Sequence, residues 1–290
     1  MANRKKTKTR KRKDGFSGKK KLILTLFIIL AVIVSTAAVM RYVMPTESSH
    51  YIVPSESSAG KLYLTAHRGL SAVAPENTLP AFEAAGQAGY FACEFDIHET
   101  KDGKWAVMHN EDISDMTDST GNISLYTYDE LLNFNIDAGS NIKNFSSLKI
   151  PELSEVLDIC KKYSMRACIE IKSGREESLG GVLKMIKDSG VDAEIISFNF
   201  DYLTYIRRND SDVRLMYLVS GMDKDTISKC RDAGNIGVAF RFNAFGDLLK
   251  VKKIKQAGLD CSVWTVDSVF EADICRLFKV DRITTNRILP

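Results

Sequence analysis

The stretch FACEFDIHETKDGKWAVMH, residues 91–109, decides the architecture. Two apolar runs, 91–98 and 105–109, are separated by Thr100-Lys101-Asp102-Gly103 and by no helix. Asp-Gly between two apolar runs is a hairpin signal. The second run should therefore return antiparallel beside the first, which puts His109 opposite about Phe95 and close to Glu94 and Asp96. Working outward, the chain from residue 61 onward alternates short apolar runs with helical stretches. Further strands are expected at 62–66, 167–171, 194–198, 214–218, 237–240, 261–266 and 282–284. Helices are expected at 79–89, 153–163, 176–189, 200–208, 224–233, 244–257 and 269–278. With 105–109 set aside as a hairpin arm, eight strands remain, each joined to the next through a helix or an insertion. That count and spacing predict an α/β fold, a closed (β/α)8 TIM-type barrel whose active residues gather at the C-terminal ends of the strands. A doubly wound open sheet competes, but no Gly-rich phosphate loop follows the first strand. Residues 110–149 have little periodicity and many Asp, Asn, Ser and Thr, and read as a small insertion capping the barrel mouth.

Charge is distributed unevenly. Residues 1–44 carry +11 and residues 45–290 carry −8. An acidic folded part argues against nucleic acid as a partner. Residues 22–40 form 19 consecutive positions without a charge. As a helix they would span about 28 Å, enough to cross a bilayer core. The basic run before them should stay in the cytoplasm. The expected organisation is a basic cytoplasmic tail (1–21), a transmembrane anchor (22–44), a Ser/Pro/Glu-rich linker (45–60) and a barrel (61–290). This describes a single-pass protein of the cell membrane with the barrel outside. A cleaved signal peptide is the alternative, although its apolar core is ordinarily shorter. The six cysteines permit three disulfides, yet Cys93, Cys168 and Cys261 lie in apolar, strand-like runs and read as buried free thiols.

The chemistry-bearing residues sit at strand ends. His67 and Arg68 close the first strand. A histidine there can transfer protons near neutral pH, and an arginine can grip an anionic oxygen with two parallel hydrogen bonds. Glu94 and Asp96 are two apart and share one strand face, with Phe95 and Ile97 on the other. Neighbouring carboxylates repel unless protonated or bound to a cation, and a hard divalent ion prefers oxygen ligands. An exposed strand face is the competing reading of that pair alone. Glu170 and Lys172 repeat the pattern on a later strand, as a third carboxylate and a second cation, or as a surface ion pair.

These residues carry a family resemblance. His67-Arg68-Gly69, Pro75-Glu76-Asn77-Thr78, Glu94-x-Asp96, Thr100-Lys101-Asp102-Gly103 and His109 occur in order. Ile150-Pro151, Leu153, Glu155-Val156-Leu157, Glu170-Ile171-Lys172, Ser197-Phe198 and Trp264-Thr265-Val266 follow. The set resembles the glycerophosphodiester phosphodiesterase family over about residues 61–290. The resemblance implies a divalent cation, Ca²⁺ or Mg²⁺, held by Glu94, Asp96 and Glu170. It implies His67 and His109 as the acid/base pair, Arg68 and Lys172 on the phosphate, Glu76 and Asn77 shaping the loop, and Trp264 in the substrate pocket. The implied reaction is hydrolysis of a small-molecule or lipid-derived glycerophosphodiester to glycerol 3-phosphate and an alcohol. Two positions depart from the family: Asn110 after His109, and Asn286 after Thr284-Thr285, where Asp is common. His98 has no assigned counterpart and reads as a plain hairpin residue. A lysophospholipase D, a cyclising phospholipase, an enzyme of glycerophosphate wall polymers and a non-catalytic binding barrel are the alternatives.

Overall fold

The computed structural model describes residues 62–290 except 235 and 244, together with the isolated positions 23 and 25. The tail (1–21), the linker (45–60) and all but those two positions of the anchor (22–44) lie outside the described residues. Among the described residues no helix is long and apolar enough to cross a membrane. By its contacts the chain divides into two units, Met1–His50 and Tyr51–Pro290, and the barrel lies wholly in the second.

The strands are β1 (Tyr63–His67), β2 (Ala92–Glu99), β3 (Trp105–Val107), β4 (Arg166–Ser173), β5 (Ala193–Ser197), β6 (Arg214–Val219), β7 (Gly237–Arg241), β8 (Cys261–Trp264) and β9 (Arg282–Thr285). The helices are α1 (Leu79–Gln87), α2 (Tyr128–Leu131), α3 (Leu153–Lys162), α4 (Leu179–Ser189), α5 (Phe200–Asn209), α6 (Thr226–Asp232), α7 (Leu248–Gln256) and α8 (Val269–Leu277). The sheet runs β1-β9-β8-β7-β6-β5-β4-β2, and β1 pairs with β2 to close it. All eight of those strands are parallel, so the fold is a TIM-type barrel.

β3 is the hairpin arm. It pairs antiparallel with β2, with Ile97 opposite Val107 and Glu99 opposite Trp105. That register continues to a bond from Met108 N–H to the Asp96 carbonyl (3.0 Å), so the chain reaches His109 beside the carboxylate-bearing end of β2.

The alternation along β2 separates two environments. Cys93, Phe95 and Ile97 join the core between strands and helices. The Phe82 ring of α1 meets the Phe95 ring edge-on at 5.6 Å. The opposite parity faces the barrel interior. There Cys168, Ile196, Met216, Leu218 and Ala239 form a small apolar layer with Trp264 against it. Below it Arg282 is ion-paired to Glu194, both buried. Helix α3 shows how the outer layer forms. Leu153, Val156, Leu157 and Cys160 repeat at helical spacing and are buried. Glu152 and Glu155 form a capping box at its start, and Lys161 and Lys162 oppose the helix dipole at its end.

The insertion has a core of its own. Ile113, Ile123, Leu131, Ile136 and Ile150 pack with Met108 and Tyr128. It is built from single 3-10 turns and the four-residue α2, which Thr127 and Glu130 cap. It rests on the loop after β1: Asn141 Nδ2 donates to the Val73 carbonyl (3.1 Å), and a side chain at Gly139 would strike Pro75. All six cysteines are buried and free, and burial pushes every thiol's pKa up.

Phe82→Ala should lower unfolding free energy by about 3–5 kcal/mol. The measurement is the urea midpoint at unchanged slope. A loss well under about 1 kcal/mol would show that Phe82 is not part of the core that supports β2.

Candidate active site

Two neighbouring strands bring the carboxylates together, and a third sets His67 beside them. The register sets Asp96 of β2 beside Glu170 of β4, and Glu94 beside His67 of β1. Glu94, Asp96 and Glu170 each offer an oxygen within 4.8 Å of the other two, and all three residues are buried. Burial, then the neighbouring Asp96 and Glu170 charges, pushes the Glu94 carboxyl well above the usual range. Burial and Asp96 push Glu170 up to about 7, against the pull of Lys172. Three acids so placed are costly as bare anions.

Cations and donors offset part of that cost. Arg68 Nη1 bonds Glu76 Oε1 at 2.8 Å, and its Nε lies 3.4 Å from Asp96 Oδ2. Arg68 has φ +57°, and its backbone N–H donates to Glu94 Oε2 at 3.0 Å. The next residue, Gly69, has φ +79°, and a Cβ there would lie 2.6 Å from the Ala81 carbonyl carbon, so only glycine lets α1 pack this close. Asn77 donates through Nδ2 to Asp96 Oδ2 at 2.9 Å and caps the Asp96 N–H through Oδ1 at 3.3 Å. Lys172 Nζ lies 3.0 Å from Glu170 Oε1 and 3.6 Å from Asp96 Oδ1. Its placement comes from a bulge: β2 and β4 slip between Ile97 and His98, so that His98 pairs with Ser173 and Lys172 is the extra residue.

One carboxylate oxygen makes no hydrogen bond, although Lys172 lies within ion-pair range. Asp96 Oδ1 is buried and has no hydrogen-bond partner. A buried lone oxygen beside two further carboxyls, in a set made only of oxygens, suits a hard divalent cation. The three residues fit such an ion, and they are the ones that would hold it.

Both proposed acid/base histidines border this cluster. His67 Nε2 lies 4.0 Å from Glu94 Oε2, and its Nδ1 is 2.8 Å from Asn286 Oδ1. Burial, then Arg68, lowers the His67 pKa against the opposing effects of Asn286 and Asp96. Burial lowers His109 as well, with Asp96 opposing and Arg68 and Lys172 assisting. Trp264 stands apart from the charged groups in its bonding. Its Nε1–H donates to the Ala239 carbonyl (3.2 Å), and its ring meets the half-exposed Phe198 ring edge-on at 5.7 Å. A cleft of about 310 Å³ lies between the site and the insertion, lined by Ser71, Glu76, Met116, Gly139 and Asn286 among others.

Two sets of residues had no place in the site as read from the sequence. His98 is not a plain hairpin residue: it is buried, with Nδ1 2.8 Å from Ser173 Oγ and Nε2 3.2 Å from the His109 carbonyl. A carbonyl only accepts, so Nε2 carries the proton and Nδ1 accepts from the serine hydroxyl. This bridge ties the bulged end of β4 to His109. The second set is Asn286 and Asp267, joined through the asparagine amide at 2.7 Å.

Known proteins bear the same pattern. The model of the glycerophosphoryl diester phosphodiesterase family matches residues 67–289. The chain belongs to the glycerophosphoryl diester phosphodiesterase family. Like the other members of that family, it is a phosphoric diester hydrolase. A glycerophosphodiester phosphodiesterase of Caldanaerobacter subterraneus subsp. tengcongensis is 31% identical over 239 residues, covering 78% of this chain and 94% of its own. A solved phosphodiesterase of Oleispira antarctica, in complex with the product sn-glycerol-3-phosphate, has 26% identity and a TM-score of 0.70, over 78% of this chain and 93% of its own. A solved glycerophosphodiester phosphodiesterase of Parabacteroides distasonis has 26% identity and a TM-score of 0.65, over 78% and 92%.

Glu170→Gln tests the electrostatics. The folded state holds the Glu170 proton to about pH 7, whereas the unfolded chain releases it near 4.5. Ionising Glu170 therefore subtracts stability as pH rises through that window. In chelator the variant should gain on the parent across it, by on the order of 2 kcal/mol at neutral pH. Added Ca²⁺ or Mg²⁺ should raise the parent's melting temperature and not the variant's. Parallel pH profiles for the two proteins would rule the strain out.

Proposed function

We propose that this chain hydrolyses glycerophosphodiesters to glycerol 3-phosphate and an alcohol, with His67 and His109 dividing the two proton transfers. The observation that carries this reading is the meeting of three carboxylates, two imidazoles of lowered pKa and two cationic side chains at one barrel mouth. The complex of the Oleispira antarctica phosphodiesterase with sn-glycerol-3-phosphate supports the choice of product. Glu94, Asp96 and Glu170 would hold a divalent cation, Ca²⁺ or Mg²⁺, which when bound would supply positive charge against the phosphate oxygens. Arg68 and Lys172 hold the non-bridging oxygens and fix the phosphorus between the histidines. His67 removes the proton of the attacking hydroxyl. His109 hands a proton to the leaving alkoxide. The attacking hydroxyl is either the glycerol 2-hydroxyl, giving a cyclic phosphate that water opens, or water itself. A transient cyclic phosphate in the product mixture separates the two routes.

A second reading has a specific support. Phe198 is 44% exposed beside Trp264 at the ends of β5 and β8, an apolar ledge that suits an acylated glycerophosphodiester. The activity would then be that of a lysophospholipase D or a cyclising phospholipase. The uncharged run 22–40 with its basic flank supports a place in the cell membrane, with the barrel outside.

The full chain, given Ca²⁺ or Mg²⁺, should release glycerol 3-phosphate from glycerophosphocholine, and chelation should abolish release. His67→Ala and His109→Ala should each cut kcat by about 10²-fold or more. Near-parental turnover in both variants would sink the mechanism. Faster release of choline from lysophosphatidylcholine than from glycerophosphocholine would favour the second reading.

A further inference from the structure

We infer that Asp267 is a positioning residue that sets the tautomer of His67, acting through the side-chain amide of Asn286. The inference deepens the proposed function, because it rests on His67 as the proton acceptor.

The argument is a count of donors and acceptors. Asp267 Oδ1 accepts two bonds, from Thr285 Oγ1 (2.9 Å) and from the Asn286 backbone N–H (2.7 Å). Asp267 Oδ2 faces the Asn286 side-chain amide at 2.7 Å. A carboxylate only accepts, so the amide must turn its NH₂ towards Asp267. Its oxygen is then forced to the other side. That oxygen receives Ser71 Oγ–H (3.2 Å) and lies 2.8 Å from His67 Nδ1. An amide oxygen only accepts, so Nδ1 must carry the imidazole proton. Nε2 is left as the free lone pair, and it is the nitrogen nearer the carboxylate cluster, 4.0 Å from Glu94 Oε2. Arg287 Nε braces the arrangement with a bond to the Asp267 carbonyl (3.1 Å). Asp267 touches neither the carboxylate cluster nor His67 in any bond above. Its effect passes through one amide and alters one proton's position.

The same count says what each substitution does. In Asp267→Asn, Oδ1 must stay on the Asn286 backbone N–H, an obligatory donor. The new NH₂ then confronts the Asn286 NH₂. The Asn286 amide turns over and presents NH₂ to His67, whose proton moves to Nε2, the wrong nitrogen for a base. In Asn286→Asp, two carboxylates meet where the amide bond had been. In the exchange Asp267→Asn with Asn286→Asp, the amide now on the loop after β8 donates to the new carboxylate, which again accepts from His67 Nδ1–H and Ser71. Every group is satisfied and the Nδ1–H tautomer returns.

The experiment uses the full chain, and it reads the tautomer directly. The sequence holds four histidines, so imidazole ¹⁵N–¹H correlation spectra can be assigned by substitution. The parent should show His67 protonated on Nδ1, and Asp267→Asn should show Nε2–H. On glycerophosphocholine, Asp267→Asn should lower kcat about 10²-fold with KM within about threefold. The exchange variant should restore Nδ1–H and recover kcat to within about tenfold of the parent. A parent already protonated on Nε2, or an Asp267→Asn variant that keeps Nδ1–H, would overturn the inference. So would an exchange variant that melts like the parent yet stays as slow as Asp267→Asn. The spectra stand without turnover, so an inactive parent with the expected tautomers would count against the proposed substrate and not against the positioning role.

Discussion

Three buried carboxylates within reach of one another are the constraint on which this structure turns. Placed side by side away from water, they repel strongly, and Glu94 and Glu170 resist ionisation. The surroundings answer that repulsion at each point. Arg68 and Lys172 approach Asp96 from opposite strands, and Asn77 commits both ends of its amide to that residue. The backbone is bent for the same end. Arg68 and Asn77 both take a positive φ, a conformation that asparagine tolerates and that arginine adopts only rarely. Asp96 Oδ1 still makes no hydrogen bond, with Lys172 Nζ 3.6 Å away, and the three acids could bind an added cation.

The fold contributes by delivering residues from distant parts of the chain to one level. Parallel pairing aligns the ends of β1, β2 and β4, and the side-chain alternation then puts Glu94, Asp96 and Glu170 on the inner face. Two departures from regularity finish the job. The β2–β3 hairpin brings His109 back over β2, and the bulge in β4 frees Lys172 from strand pairing. His98 fastens these two departures to each other through Ser173 and the His109 carbonyl.

Much of this was legible in the sequence. The βα alternation set the count of barrel strands, because apolar runs of four to eight residues separated by amphipathic stretches have few other solutions. The Asp102-Gly103 turn identified the arm that does not belong to the barrel. The charged residues at strand ends were visible because barrels collect function there. What escaped the reading depends on pairs far apart in the chain. Asn286 and His67 are 219 positions apart, and His98 and Ser173 are 75 apart, so no local pattern couples them. The core of the insertion escaped for the opposite reason. Its apolar residues sit on single turns too short to show a period, so its core emerges only when Ile113, Ile123 and Leu131 are seen packed together.

The barrel closes where its first strand meets its last. His67 ends β1, and the amide that orients it follows β9, whose pairing with β1 seals the sheet. During synthesis the carboxylate triad, complete by residue 170, precedes that amide by more than a hundred residues. A nascent chain therefore carries the acids long before it carries the amide that bonds His67. Under the proposed mechanism, orientation of His67 waits on the pairing of β9 with β1 that closes the ring.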